Sequence, residues 1–230
     1  MRLIGMLGGT SWPSTVLPYR MLNETVQHRL GPTHSARIAL YSIDYAAIRR
    51  CYSADMGALP ALLLEEIRTL LSFKPDCWMI ANNTLHRFLP EIAPQLGAAP
   101  PLLHAIDLVR DDLLAKAARK VLLLGTRFTM EDGYYARPLQ QAGIEVVIPG
   151  EADRERIGAI LAQLANGIIQ AEFGPYFAEL IARHAAEGCE TVVAGCTEIP
   201  LVVTQSMVPI PLVDPLRLQC TACADFALAT

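Results

Sequence analysis

The sequence predicts an α/β fold built as two related lobes, each a mostly parallel sheet flanked by helices. Three observations predict it. Short, continuous apolar runs alternate with stretches of helical apolar spacing, the pattern of buried parallel strands joined by crossover helices. Several of those runs end in small polar turns: Leu7-Gly8-Gly9-Thr10, Ala81-Asn82-Asn83-Thr84, Leu124-Gly125-Thr126 and Ala194-Gly195-Cys196-Thr197. The order strand-Gly-Thr, helix, strand, helix, strand with a polar Thr turn, then a Pro-rich segment occurs twice, starting near Leu3 and again near Lys120. Two such halves imply a pseudo-twofold pair, residues 1–98 with 209–230 in one lobe and 99–208 in the other, with the two Pro-rich segments as crossovers.

Taken in order, Leu3–Gly8 is a strand entering a glycine turn, and Pro13 stands near the first turn of a helix running to about Leu30. A strand over Ala36–Ile43 leads to a connecting segment that carries Asp44, Arg49, Arg50 and Tyr52. Leu59, Leu62, Leu63, Ile67, Leu70 and Leu71 give helical spacing over Gly57–Ser72. Cys77–Ala81 is a buried strand that opens into Asn82-Asn83-Thr84-Leu85-His86 and a further helix. Gly97 and Pro100-Pro101 interrupt the pattern, and Leu102–Asp107 leads into a helix rich in Leu and Ala. In the second half, Val121–Thr126 is a strand, Met130–Ala142 a helix and Glu145–Pro149 a strand. Two helical stretches cover Asp153–Glu187, and Val192–Thr197 is the closing strand. Val208–Pro215 then resembles the Pro100–Asp107 segment and precedes the last helix.

Composition narrows the function. The 230 residues are 52% hydrophobic and 18% charged, ample for a packed core and without the signature of disorder. A net charge of −4 with no basic cluster argues against nucleic acid as the partner. No apolar run reaches the roughly 18 residues that a membrane span needs, and the N-terminus enters a strand pattern without the apolar segment of a signal peptide. A cytoplasmic protein is the expectation. The six cysteines do not form a disulfide scaffold in a chain of this length. Cys220-x-x-Cys223 lies in an alanine-rich segment that reads as helix, without a second pair to make a zinc site, so it reads as core packing. The histidines show no metal-binding spacing, and no metal is inferred.

The chemistry concentrates at strand ends, where ligands gather in open α/β sheets. Cys196 follows the Val192–Ala194 run after one glycine, Gly195. Backbone N–H groups at such a turn lower a thiol pKa from about 8.5 and keep part of it as thiolate; the alternative reading is a small buried core cysteine. Gly5, Gly8 and Gly9 do not fit G-x-G-x-x-G, and no Gly-Lys-Ser/Thr follows, so a nucleotide loop is a poor match. The hydroxyls of Thr10 and Ser11 suit a small carboxylate instead. Asn82, Asn83 and Thr84 each make good helix caps, yet two amides, a hydroxyl and an imidazole in five residues exceed what a cap requires. A cleft between the lobes would be lined by Gly9–Ser11 and Asn82–Thr84 from one half, and by Thr126 and Gly195–Glu198 from the other.

With these residues in view, the chain resembles the aspartate/glutamate racemase family over nearly its whole length. Ile4-Gly-Met-Leu-Gly-Gly-Thr-Ser-Trp12, Asn83-Thr84-Leu85-His86 and Gly195-Cys-Thr-Glu-Ile-Pro200 fall in the family's order and spacing. The Ser11-Trp12 pair and Leu124–Glu131 look most like the bacterial branch specific for L-aspartate and L-glutamate. The resemblance implies two pseudo-twofold-related flavodoxin-like domains, a homodimer, and racemisation of an amino acid without a cofactor. In typical members two cysteines face each other across the cleft, one removing the α-proton and the other delivering a proton to the opposite face. Cys196 matches the second cysteine, while the first cysteine's position is Asn82.

Neutral asparagine is neither a useful acid nor a useful base, so a symmetric two-thiol mechanism is not available. The L-specific branch has a threonine at this place, which gives a one-thiol version precedent in the family. The lysine found in the second half of many aspartate racemases has no counterpart in Leu164-Ala165-Asn166-Gly167. Three outcomes follow: one-thiol racemisation by Cys196, slow or one-directional; related carbanion chemistry of the arylmalonate decarboxylase type; or binding of an amino or dicarboxylic acid without turnover. In the first, Cys196 transfers the proton, and Asn82 orients substrate or water. By resemblance, Asn83, Thr84 and Thr197 hold the α-carboxylate with Thr10 and Ser11 nearby. Arg49 matches an arginine for the distal carboxylate, with Arg50 and Tyr52 as neighbours. Glu198 and His86 act as orienters, and Thr126 adds a hydroxyl from the second half.

Overall fold

The computed structural model describes Met1–Ala229, with the side chains of Ser53 and Ala54 outside the description. The chain divides into two compact units, Met1–Ala105 with the C-terminal stretch from Leu216, and Ile106–Pro215.

The first unit opens with β1 (Ile4–Gly8), α1 (Trp12–Leu30), β2 (Ile38–Ser42), α2 (Ala46–Ala54), α3 (Leu59–Ser72), β3 (Cys77–Ile80) and the short α4 (Leu89–Ile92). Its sheet has the order β2-β1-β3, parallel throughout, with Ile4 opposite both Ile38 and Cys77. Side chains alternate between the faces of a strand. Ile4, Met6, Cys77 and Met79 therefore share one core with Leu22 of α1, and Leu7, Trp78 and Ile80 pack with Leu63, Ile67 and Leu70 of α3 on the other. Burial on both faces is why these strands read as continuous apolar runs.

The second unit follows α5 (Ala105–Ala115) with β4 (Lys120–Leu124), α6 (Arg127–Glu131), α7 (Ala136–Gln141), β5 (Glu145–Val147), α8 (Glu151–Leu164), α9 (Phe173–Ala186), β6 (Thr191–Ala194) and β7 (Leu212–Val213). Its sheet runs β5-β4-β6-β7, again all parallel. Leu122, Leu124, Val192 and Ala194 pack against Ile157 and Leu161 of α8 and Phe177 and Ile181 of α9. The last helix, α10 (Pro215–Leu228), joins the first unit, where Leu216, Cys220, Cys223 and Ala224 complete the core beneath β1 and β3. Cys220 and Cys223 thus pack in that core, and no group of three metal-binding side chains occurs among the described residues. None of the described helices is long and apolar enough to cross a membrane.

The α/β architecture with two parallel sheets is as predicted, and three local expectations are corrected. The segment holding Arg49, Arg50 and Tyr52 is helix rather than connection, because Ile48 and Cys51, with Tyr45 and Tyr52 beside them, give it an apolar side that packs on the first core. The helix expected over Met130–Ala142 is two helices, separated where Gly133 takes φ of +75°. The closing strand stops at Ala194, so Gly195–Glu198 lie beyond it in a turn.

Candidate functional site

Both sheets end in polar turns, and the two are built differently. In the first unit, Gly8-Gly9 carries β1 into α1. Gly9 sits at φ of +90°, where a β-carbon would collide with the backbone of Ile43. That tight turn lets the Gly9 N–H donate to Thr15 Oγ1 at 2.9 Å. Thr10 and Ser11 are buried. Ser11 is the N-cap of α1, but its hydroxyl makes no cap bond and has no partner among the described residues. Its carbonyl instead accepts the hydroxyls of Ser14 and Thr15, at 3.1 and 2.9 Å.

Asn82, just past β3, uses its carboxamide within this unit. Nδ2 donates to Thr10 Oγ1 at 3.1 Å, and Oδ1 accepts the Leu85 N–H at 2.8 Å, capping the 3-10 turn Thr84–Phe88. Because Thr10 accepts from Asn82, its own O–H remains to donate elsewhere. Asn83 and Thr84 are buried beside it. His86 folds back onto the Asn82 carbonyl through Nδ1 at 2.8 Å. Full burial, with the neighbouring His104 adding to it, pushes the ring's pKa from 6.5 down to about 3, so the imidazole is neutral.

On α2, Arg49 and Arg50 are both exposed, while Tyr52 is half-buried and accepts a 3.3 Å hydrogen bond from Tyr45. Burial raises the Tyr52 phenol pKa. The structure brings Thr10 and Asn82 into direct contact, with Ser11, Asn83 and Thr84 in the same two turns. It leaves Arg49 on an open helix surface.

In the second unit, two glycines bring the ends of β4 and β6 together. A β-carbon on Gly125 would lie 3.0 Å from the Gly195 carbonyl, and one on Gly195 would lie 2.8 Å from the Leu124 carbonyl. Thr126 is the N-cap of α6 and accepts the Thr129 N–H at 3.2 Å. Hydroxyls continue from Thr126 to Thr129 at 3.1 Å and from Thr129 to Tyr134 at 2.9 Å. Sequence reasoning missed Thr129 and Tyr134. The three-residue step from Thr126 to Thr129, N-cap to N3, was the available signal.

Past β6, Cys196, Thr197 and Glu198 are all buried. The Cys196 thiol donates to Glu198 Oε2 at 2.8 Å, and the Thr197 hydroxyl donates to the same oxygen at 3.0 Å. The expectation of a partly ionised thiol is overturned here. Backbone N–H groups of Thr197 and Glu198 do pull its pKa down, but burial and then the Glu198 carboxylate outweigh them, holding it well above the usual thiol range. Cys196 is therefore a proton-bearing thiol in contact with a proton acceptor. Such a pair can give a proton to a carbon acid's conjugate base, or take one up after passing its own to the carboxylate.

The chain is similar over 100% of both lengths to a "putative Asp/Glu Racemase" from Yersinia pestis, at 34% identity and a TM-score of 0.87. An aspartate racemase homologue from Pyrococcus horikoshii OT3 is 27% identical over 100% of both chains, with a TM-score of 0.85. The aspartate racemase of Picrophilus torridus, at 21% identity, shares the fold across 99% of this chain and 94% of its own, with a TM-score of 0.80. Residues 7–223 match the Asp/Glu/Hydantoin racemase family, and the chain belongs to that family.

Proposed function

We propose that this protein is a cofactor-independent racemase of the aspartate/glutamate type that works with one thiol. The observation that carries the reading is the 2.8 Å contact between Cys196 Sγ and Glu198 Oε2 at the end of β6, in a chain of this family. In the proposed cycle, Cys196 passes its proton to Glu198 and the resulting thiolate removes the substrate α-proton from one face. Water, or a hydroxyl such as that of Thr10 resupplied by solvent, protonates the other face, and Glu198 releases its proton to solvent to reset the pair. If Cys196 instead delivers a proton back to the face it took one from, after its S–H has exchanged with solvent, the outcome is retention with exchange rather than inversion.

Asn82 stands, in this reading, where typical members carry their first cysteine, as in the L-aspartate/glutamate-specific branch, where that cysteine is also replaced. Its carboxamide holds Thr10 and so supports substrate or water rather than reacting. By the family resemblance, Thr10, Ser11, Asn83, Thr84 and Thr197 are the groups assigned to the substrate's α-carboxylate, with Thr126 as a further hydroxyl. Arg49, with Tyr52 on the same helix, serves the distal carboxylate. The homodimer and the cytoplasmic location expected from the sequence belong to the same proposal.

The test is α-proton exchange. In D₂O, L-aspartate or L-glutamate should gain α-deuterium by NMR, with slower appearance of the D-enantiomer. Absence of exchange with both, alongside ligand-dependent stabilisation, would leave only a binding protein. One observation favours a second reading: the amide of Asn82 is engaged by Thr10 and Leu85, and His86 is neutral. A single acid facing a carbanion also suits decarboxylation of an arylmalonate-type substrate. Release of CO₂ from such a substrate, without exchange of amino acids, would select it.

A further inference from the structure

The chain that leaves the first unit is strapped to β3. The Trp78 N–H donates to the Pro101 carbonyl at 3.1 Å, and the Leu103 N–H donates to the Trp78 carbonyl at 2.9 Å. Side chains hold it further: Trp78 Nε1 donates to the Pro100 carbonyl at 2.9 Å, and the buried Gln219 of α10 donates to the Leu103 carbonyl at 2.8 Å. The strap ends at Ala105, whose N–H reaches His86 Nε2 at 3.3 Å. An amide N–H can only donate, so Nε2 is the bare nitrogen and the proton of the neutral ring sits on Nδ1. That Nδ1–H is the group bonded to the Asn82 carbonyl. One ring therefore joins a fixed segment to the residue whose side chain holds Thr10, while His104 packs edge-on at 4.6 Å.

We propose that His86 is a positioning residue that holds the Asn82–Thr10 pair in place, braced against the strapped segment Pro100–Ala105. The inference rests on the reading of Asn82 and Thr10 as groups on the substrate side of the proposed site. Nothing about His86 transfers a proton in this arrangement, because both nitrogens are spent on backbone groups. Its contribution is geometric, and misplacement of a site group by about 1 Å is enough to cost about 100-fold in rate.

Three variants and one spectrum test this. His86→Asn keeps an N–H donor at the level of Nδ1, His86→Gln keeps an acceptor near the level of Nε2, and His86→Leu keeps neither. In the wild type, ¹⁵N NMR should show His86 as the Nδ1–H tautomer. The Asn82 carboxamide resonances should stay in place in His86→Asn and move in His86→Gln and His86→Leu. In α-deuteration, His86→Asn should keep kcat within about threefold, while His86→Gln loses about tenfold or more in kcat with a smaller change in KM, at a Tm matching that of His86→Asn. An Nε2–H tautomer, unmoved Asn82 resonances in His86→Gln, or losses of kcat that simply follow Tm through all three variants would overturn the proposal. If the wild type shows no exchange, the racemase reading fails, and the tautomer and the Asn82 resonances still decide the role of His86.

Discussion

The turn after β3 and the turn after β6 each follow a strand paired with the first strand of their sheet, and they hold their protons in opposite ways. After β3 the contacts of Asn82 are with neutral groups: its side chain with Thr10 and the Leu85 N–H, and its carbonyl with His86. After β6 a thiol hydrogen is shared with a carboxylate. Burial acts on both turns, but it produces a rigid scaffold in one and a proton store in the other. The difference teaches that strand-end position gives access to a ligand, whereas the chemistry depends on whether an acid and its acceptor are placed in contact there.

Removing the proton store is the strongest way to break this contrast. Cys196→Ala should lower α-deuterium exchange by about 10³-fold, since general acid–base groups contribute about 10²–10⁴. Exchange at the wild-type rate would move the chemistry away from β6. Glu198→Gln comes next, with a loss of about 10²-fold. Because the Glu198 carboxylate raises the thiol pKa, the same variant should make Cys196 alkylate at lower pH than in the wild type, read by mass spectrometry of its peptide. An unchanged alkylation profile would mean that the carboxylate does not hold this thiol protonated.

The scaffold can be tested through pH. The folded His86 pKa of about 3 lies below the ordinary 6.5, so between those values the unfolded chain binds a proton that the folded chain does not. Stability linked to this ring is complete above pH 6.5 and is lost as pH falls toward 3. From pH 7 to pH 5 the loss should be about 2 kcal/mol by urea denaturation, and His86→Asn should lack that part of the slope. The smallest effects concern the caps. Asn82→Ala should cost about 1–2 kcal/mol, because it removes both a cap and the Thr10 contact, and Thr126→Ala about 1 kcal/mol, measured by the same method. If Thr126→Ala also removed exchange, its hydroxyl would be more than the cap of α6.

Much of this was legible in the chain. The apolar runs at Leu3–Gly8, Cys77–Ala81, Val121–Leu124 and Val192–Ala194 mark four strands, because residues buried on both faces of a sheet need no alternation. Cys196, Thr197 and Glu198 stand out by following one of them. Helix α2 was not legible, since its 9 residues offer little more than two turns of spacing, and packing of Ile48 and Cys51 on the core reveals its apolar side. The break at Gly133 was not read either, although Asp132-Gly133 is a turn pair and Gly133 takes the left-handed region.

What the sequence determined by itself is therefore the pair of parallel sheets and the positions of their polar turns, because periodicity and Gly or Pro punctuation act over a few neighbouring residues. What only the tertiary structure decided is the protonation of Cys196 and the engagement of Asn82. The first depends on how much water burial removes and on where the Glu198 oxygen lies. The second depends on Thr10, 72 residues away in the chain and 3.1 Å away in the fold. Both are set by distances between side chains, and no spacing along a chain encodes those.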